Sequence, residues 1–155
     1  MKSLSTLPIL LLAVTLLSGC DQSGTAEPEN VRVVQWPLNT QCNLHKQPCT
    51  TQQGKQSVTL DVQPRPIPVA KPLGVTVTLK NISAKAIQLD IGGKNMYMGF
   101  NRANLKPTSP DRWVGTTMLA FCTNGKMEWQ LTLLITLEDG SQIQVPYPLE
   151  TSSRR

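Results

Sequence analysis

Residues 126–145 read KMEWQLTLLITLEDGSQIQV, and their alternation decides the fold. Residues 127–137 form one long run rich in leucine and β-branched side chains. If extended, the run places Met127, Trp129, Leu131 and Leu133 on one face. Asp139-Gly140 is a hairpin signal that returns the chain into a second strand over 141–145. A helix needs apolar residues at a spacing of about 3.6, and no stretch after residue 30 has it.

The same reading extends upstream. Val58, Leu60 and Val62 alternate with polar residues, and Val75, Val77 and Leu79 do so around Thr76 and Thr78 until Asn81 interrupts. Ile87, Leu89 and Ile91 form the next strand, closed by Gly92-Gly93. Met96, Met98 and Phe100 are spaced to share a face of another, and 113–121 suit a further one. Pro64, Pro66, Pro68 and Pro72 mark an extended connection. About seven strands in about 90 residues predict an all-β domain, an immunoglobulin-like β-sandwich over residues 57–150. Residues 31–56 read as an irregular N-terminal extension.

The chain's start has another character. Lys2 is its only charge before Asp21, residues 7–17 are almost all apolar, and Leu17-Ser18-Gly19-Cys20 follows. The apolar run falls short of the roughly 20 residues of a membrane span, so residues 1–19 read as a signal peptide. Leu17-Ser18-Gly19-Cys20 resembles the lipobox of bacterial lipoproteins. That resemblance implies cleavage before Cys20, diacylation of its sulfur and acylation of the new amine. Two or three chains, at about 0.8 kcal/mol per buried CH₂, hold a protein stably in a lipid bilayer. Asp21 is similar to the sorting residue that keeps a lipoprotein at the inner membrane. The expected location is therefore the periplasmic face of that membrane rather than the outer membrane. Residues 20–30 carry the anchor and a flexible tether, because DQSGTAEPEN (21–30) holds no large apolar side chain.

Lys and Arg occupy 15 positions against 10 for Asp and Glu, a formal net charge of +5. The basic residues are scattered without interleaved aromatics, so nucleic acid is not an expected partner. With one histidine, dispersed carboxylates and no phosphate-cradling glycine motif, the chain is not expected to be an enzyme.

Cleavage before Cys20 leaves Cys42, Cys49 and Cys122 in the exported part. An oxidising compartment permits disulfides, and an odd number leaves one thiol over. Cys42 and Cys49 flank six residues and are expected to bridge, which would tie down the extension. A bridge from either to Cys122 is the alternative. Asn124-Gly125 predicts a tight hairpin that sets Cys122 opposite Met127, about 5 Å away. Should the strand carrying Met96 and Met98 pass nearby, four sulfurs converge. Thioethers and a thiolate are soft donors that select Cu(I). Methionine also fills irregular cores and buried cysteine acts as a small hydrophobe, so core packing is the competing reading. His45, in the loop between Cys42 and Cys49, would join only if that loop folds over the site.

Gly92-Gly93-Lys94-Asn95-Met96-Tyr97-Met98-Gly99, then Trp113-Val114-Gly115, then Met127-Glu128-Trp129, resembles the YtkA-like and FixH-like domains. These are small immunoglobulin-like sandwiches outside the bacterial cytoplasmic membrane, several of which occur with copper handling or haem–copper oxidase assembly. The resemblance covers about residues 58–146. Met96, Met98, Gly99 and Trp129 match the family pattern, which implies a Cu(I) cofactor at Met96 and Met98 shielded by Trp129. Cys122 and Met127 enter on their own soft-donor chemistry, as substitutes for the family's histidine. The resemblance also implies an envelope partner such as an oxidase or a copper protein. Where the family pattern carries a histidine after its methionine-glycine pair, Phe100 and Asn101 stand here. The other function class is a metal-free interaction module docking on an envelope complex.

Overall fold

The computed structural model describes residues 31–121 and 125–152. The expected signal peptide and tether, Cys20, Asp21 and Cys122 lie outside the described residues.

Nine strands and no helix make up the described residues: β1 (Val33–Gln35), β2 (Cys49–Gln53), β3 (Gln56–Gln63), β4 (Pro72–Lys80), β5 (Ala84–Gly93), β6 (Asn101–Ser109), β7 (Arg112–Met118), β8 (Lys126–Leu137) and β9 (Gln142–Ser152). They form one curled mixed sheet in the order β1-β9-β8-β5-β6-β7-β4-β3-β2. Only β1, which runs parallel to β9, departs from antiparallel pairing.

The alternation works as a period of two requires. Val58, Leu60 and Val62 of β3 stand opposite Leu79, Val77 and Val75 of β4, and all six are buried. Ile87, Leu89 and Ile91 of β5 oppose Ile135, Leu133 and Leu131 of β8, whose other neighbours in β9 are Ile143, Val145 and Tyr147. Each such side chain taken from water contributes about 1.5–3 kcal/mol, so a register slip of one residue would forfeit a whole face.

The curl is set by β6. Its first half pairs with β5, ending with Leu105 opposite Ile87. Its second half pairs with β7, beginning with Lys106 opposite Val114. One strand thus joins two halves of the sheet, and a register shift between Pro107 and Ser109 lies where it turns. The far ends meet across the core, where the buried Tyr147 hydroxyl of β9 donates to the Val58 carbonyl of β3 at 2.9 Å. Burial pushes the Tyr147 phenol up to about 12.

Residues 36–48 connect the sheet's two edges, β1 and β2. Trp36 and Leu44 bury themselves in the common core, and the Asn39 amide donates to the Thr50 carbonyl. The expected Cys42–Cys49 disulfide is present. Residues 31–56 are therefore not irregular throughout. They hold β1 and β2 and contribute to the core.

Three other expectations need correction. The strands number nine among the described residues, not about seven. Met96, Met98 and Phe100 do not share a strand face, because 94–100 is a loop. Within it the Asn95 side chain takes the place of a ladder residue: its amide donates to the Lys126 carbonyl and its Oδ1 accepts from Glu128 N–H. Gly99 turns the chain with φ of +75° before β6 begins. Finally, β7 stops at Met118 rather than running to residue 121. Met127 finds its cross-strand partner in Thr151 of β9, and Asn95 occupies the other edge of β8 there. Cys122, the partner that the expected hairpin gives Met127, lies outside the described residues.

Candidate soft-metal site

The loop at 94–100 leaves the end of β5 beside the start of β8. Gly93 is the pivot. A Cβ there would run into the Met96 carbonyl, and it would lie 3.2 Å from Met98 Cγ and 3.3 Å from Met127 Cε. Both side chains therefore close on one point, from the loop and from β8. Only the missing Gly93 side chain leaves room for them. Met127 is 1% exposed and Met98 packs partly buried against the core. Met96 lies at the surface, 38% exposed.

Trp129 sits two residues along from Met127, on the same buried face of β8 and opposite Gly93. Its indole N–H donates to Thr151 Oγ1 at 2.9 Å, so the polar edge of the ring is satisfied inside the protein. The structure thus brings together Met98 and Met127, places Trp129 next to them on the strand and leaves Met96 at the rim. The expected fourth donor, Cys122, lies outside the described residues.

His45 is not placed as a ligand. Its Nδ1 accepts from the Ile67 N–H at 3.0 Å, which fixes the proton on Nε2, and Nε2 donates to the Glu150 carbonyl at 2.6 Å. Both ring nitrogens are spent on latching the disulfide loop to β9 and to the proline-rich connection. Arg65 adds to the latch, donating to the Leu44 carbonyl and pairing with Asp61.

Between this loop and the end of β8 and β9 lies a cleft of about 560 Å³, lined among others by Leu38, Leu44, Lys94, Glu128, Trp129 and Glu150. At its side the Lys126 ammonium lies 2.7 Å from the Glu150 carboxylate. The hydrogen bond to Glu150, and then its charge, hold the Lys126 pKa above the usual lysine value. Among the described residues no three His, Cys, Asp or Glu gather where they could hold a metal ion. The side chains that come together beside Gly93 are those of Met98 and Met127, through Met98 Cγ and Met127 Cε.

Two features escaped the sequence. Asn95 completes the β8 ladder with its side chain, a role that depends on residues some thirty positions away. The second is an apolar surface around the methionines. Phe100 is 92% exposed, Tyr97 79%, Phe121 61% and Met118 50%. Tyr97 and Phe100 meet edge to face with centroids 6.5 Å apart. Aromatic residues in a short glycine-bearing loop were the available signal.

No family model matches the chain, and neither does any curated protein or solved structure.

Proposed function

We propose that the chain is a lipoprotein anchored through Cys20 at the periplasmic face of the inner membrane, and that it holds Cu(I) for copper handling or haem–copper oxidase assembly. The observation that carries the metal reading is the closing of Met98 and Met127 on the point above Gly93. Two thioethers from separate elements, held by a glycine that admits no side chain, make a soft donor pair. Met96, two residues along the loop, and Cys122, five residues before Met127, complete the donor set in this reading. Trp129 keeps water from its inner side.

The fold part of the proposal is an immunoglobulin-like β-sandwich. Its support is the strand order: β3-β4-β7-β6 follows the ABED order of that fold and β5-β8-β9 its CFG order. The YtkA-like and FixH-like resemblance points the same way.

A Cu(I) competition titration tests the metal reading, with reduced protein beginning after Cys20 and a calibrated chromophoric chelator under anaerobic conditions. One equivalent held with a Kd on the order of 1 nM or tighter is the expected result. Replacing both Met98 and Met127 with leucine, a nearly volume-conserving change, should leave the fold intact and loosen Cu(I) by more than about tenfold. Folded wild-type protein that retains no copper sinks the reading. The buried position of Met127 favours the second reading, in which the methionines are packing and the domain is a metal-free interaction module.

A further inference from the structure

The ladder between β5 and β6 opens before either strand ends. It runs from Ile91 opposite Asn101 to Ile87 opposite Leu105 and stops there. Over residues 84–86 β5 has a partner on the β8 side alone, and from Lys106 onward β6 pairs with β7 alone. Carried on in register, the ladder would next set Ala86 against Lys106 and Lys85 against Pro107. Pro107 brings no N–H to a ladder, and the two strands part at that point. Between them lies a gap of about 450 Å³, walled by Ala84 and Lys85, by residues 107–110, and by Trp113 and Glu138.

The wall of this gap holds a donor without an acceptor. Trp113 is 5% exposed, and its indole N–H is buried with no hydrogen-bond partner. The Trp129 indole, by contrast, is satisfied by Thr151. A buried donor left without an acceptor is destabilising, and bulk water does not reach this one to relieve it. The charge around the gap is mostly positive. Lys85 lines it, and Lys106 and Arg112 precede Pro107 and Trp113. Among the described residues none of these three forms an ion pair. Of the nearby carboxylates, Asp111 accepts from the Ser109 hydroxyl, which leaves Glu138 as the one in the wall.

We propose that this gap binds an extended, acidic segment of another protein. Two facing strand edges call for main-chain groups, which an added strand supplies. The orphan indole N–H and the unpaired cations call for an anionic acceptor, which a carboxylate supplies. The segment lies along β5 at residues 84–86. One of its carboxylates accepts from the Trp113 N–H and pairs with Lys85. Residues 107–110, mostly exposed, shift aside to uncover the N–H. The gap lies at the end of β5 away from Gly93, so the proposal stands whether or not Met98 and Met127 hold copper.

The test uses the chain as its own cells process it, isotope-labelled at its tryptophan indoles and titrated with a short peptide of alternating glutamate and valine. The expected result is saturable binding that moves the Trp113 indole N–H signal downfield, leaves the Trp129 signal in place and slows hydrogen exchange at the amides of 84–86. The same peptide with glutamine for glutamate should bind at least about fivefold more weakly. Trp113→Phe removes the donor and keeps a ring in the core. It should fold at least as stably as wild type yet bind the acidic peptide about tenfold more weakly. Lys85→Gln, at an exposed position, should loosen the peptide by about threefold. No binding at peptide concentrations up to about 1 mM overturns the proposal. So does equal binding of a lysine-for-glutamate peptide, or an affinity unchanged in both variants. A Trp113 signal that moves on dilution, or on removal of residues 20–30, shows the gap filled by a second copy or by the chain's own N-terminal segment, and overturns it too. Anionic lipid vesicles that move the signal as the peptide does overturn it in favour of phosphate headgroups.

Discussion

Gly93→Ala is the substitution that most directly tests how the two methionines are held. The added Cβ would overlap the Met96 carbonyl, which is backbone and cannot rotate aside, and would press Met98 Cγ at 3.2 Å and Met127 Cε at 3.3 Å. The loop at 94–98 must therefore move outward, against the two hydrogen bonds that Asn95 makes to β8. Overpacking of this kind costs about 1–3 kcal/mol. Gly92→Ala is the internal control, since nothing lies within 4 Å of a Cβ there. With the unfolded chain losing freedom, it should be neutral or stabilising by up to about 1 kcal/mol. Urea unfolding of the two variants beside wild type measures the difference, a midpoint shift of roughly 1 M between them. In methyl-labelled protein, the nuclear Overhauser contact between the Met98 side chain and the Met127 methyl should be present in wild type and lost in Gly93→Ala. Equal stability of the two variants, with that contact retained, would refute the reasoning.

Other predictions follow from the latch, the disulfide and the core. His45→Ala leaves the Ile67 N–H and the Glu150 carbonyl without partners and should cost about 1–3 kcal/mol, with faster hydrogen exchange at Ile67 as the local readout. Cys42→Ser together with Cys49→Ser removes a loop of sequence separation 7, and calorimetry should register a loss of about 2 kcal/mol. The Tyr147 phenol is held up to about 12 by burial, so the unfolded chain loses its proton first as pH rises past about 10. Stability should then fall between about pH 10 and 12, with Tyr147 contributing roughly 1.4 kcal/mol per unit, a contribution that Tyr147→Phe removes while that of the raised Lys126 remains. The Asp139 carboxyl is held low by hydrogen bonds from Ser141. Its stabilisation is present above the ordinary carboxylate range and lost as pH falls through its folded value, which an acid titration of Ser141→Ala against wild type will show.

The strands that bury one complete face were legible. Val58, Leu60 and Val62, or Ile87, Leu89 and Ile91, alternate because each inward position meets a buried partner across the ladder. β6 was not legible, for the physical reason that it serves both halves of the sheet. It changes neighbours between Leu105 and Lys106, so only Leu105 among its residues is buried, and Pro107 reads as a breaker. The spacing of Met96, Met98 and Phe100 imitates a strand, yet a side chain at Asn95 and a turn at Gly99 organise that loop, and neither carries a periodic signal. The Cys42–Cys49 bridge followed from spacing and compartment. The role of His45 did not, because its two partners, Ile67 and Glu150, are brought to it only by the finished fold. In the candidate site, sulfur chemistry named Met98 and Met127, but their meeting at Gly93 needed coordinates.

The parallel pairing of β1 with β9 has a mechanical meaning. A pull on the chain ahead of residue 32 runs along the strand axis, and so strains the Gln142 N–H to Arg32 carbonyl and Trp36 N–H to Gln144 carbonyl bonds together, in shear, rather than opening them one after another. Should β1 yield, Trp36 must still leave the core, and the Cys42–Cys49 bond then caps how much chain the loop can release. Tension that passes Trp36 then crosses the disulfide directly to Cys49, the first residue of β2, and residues 43–48, with the His45 latch among them, stay out of the load path.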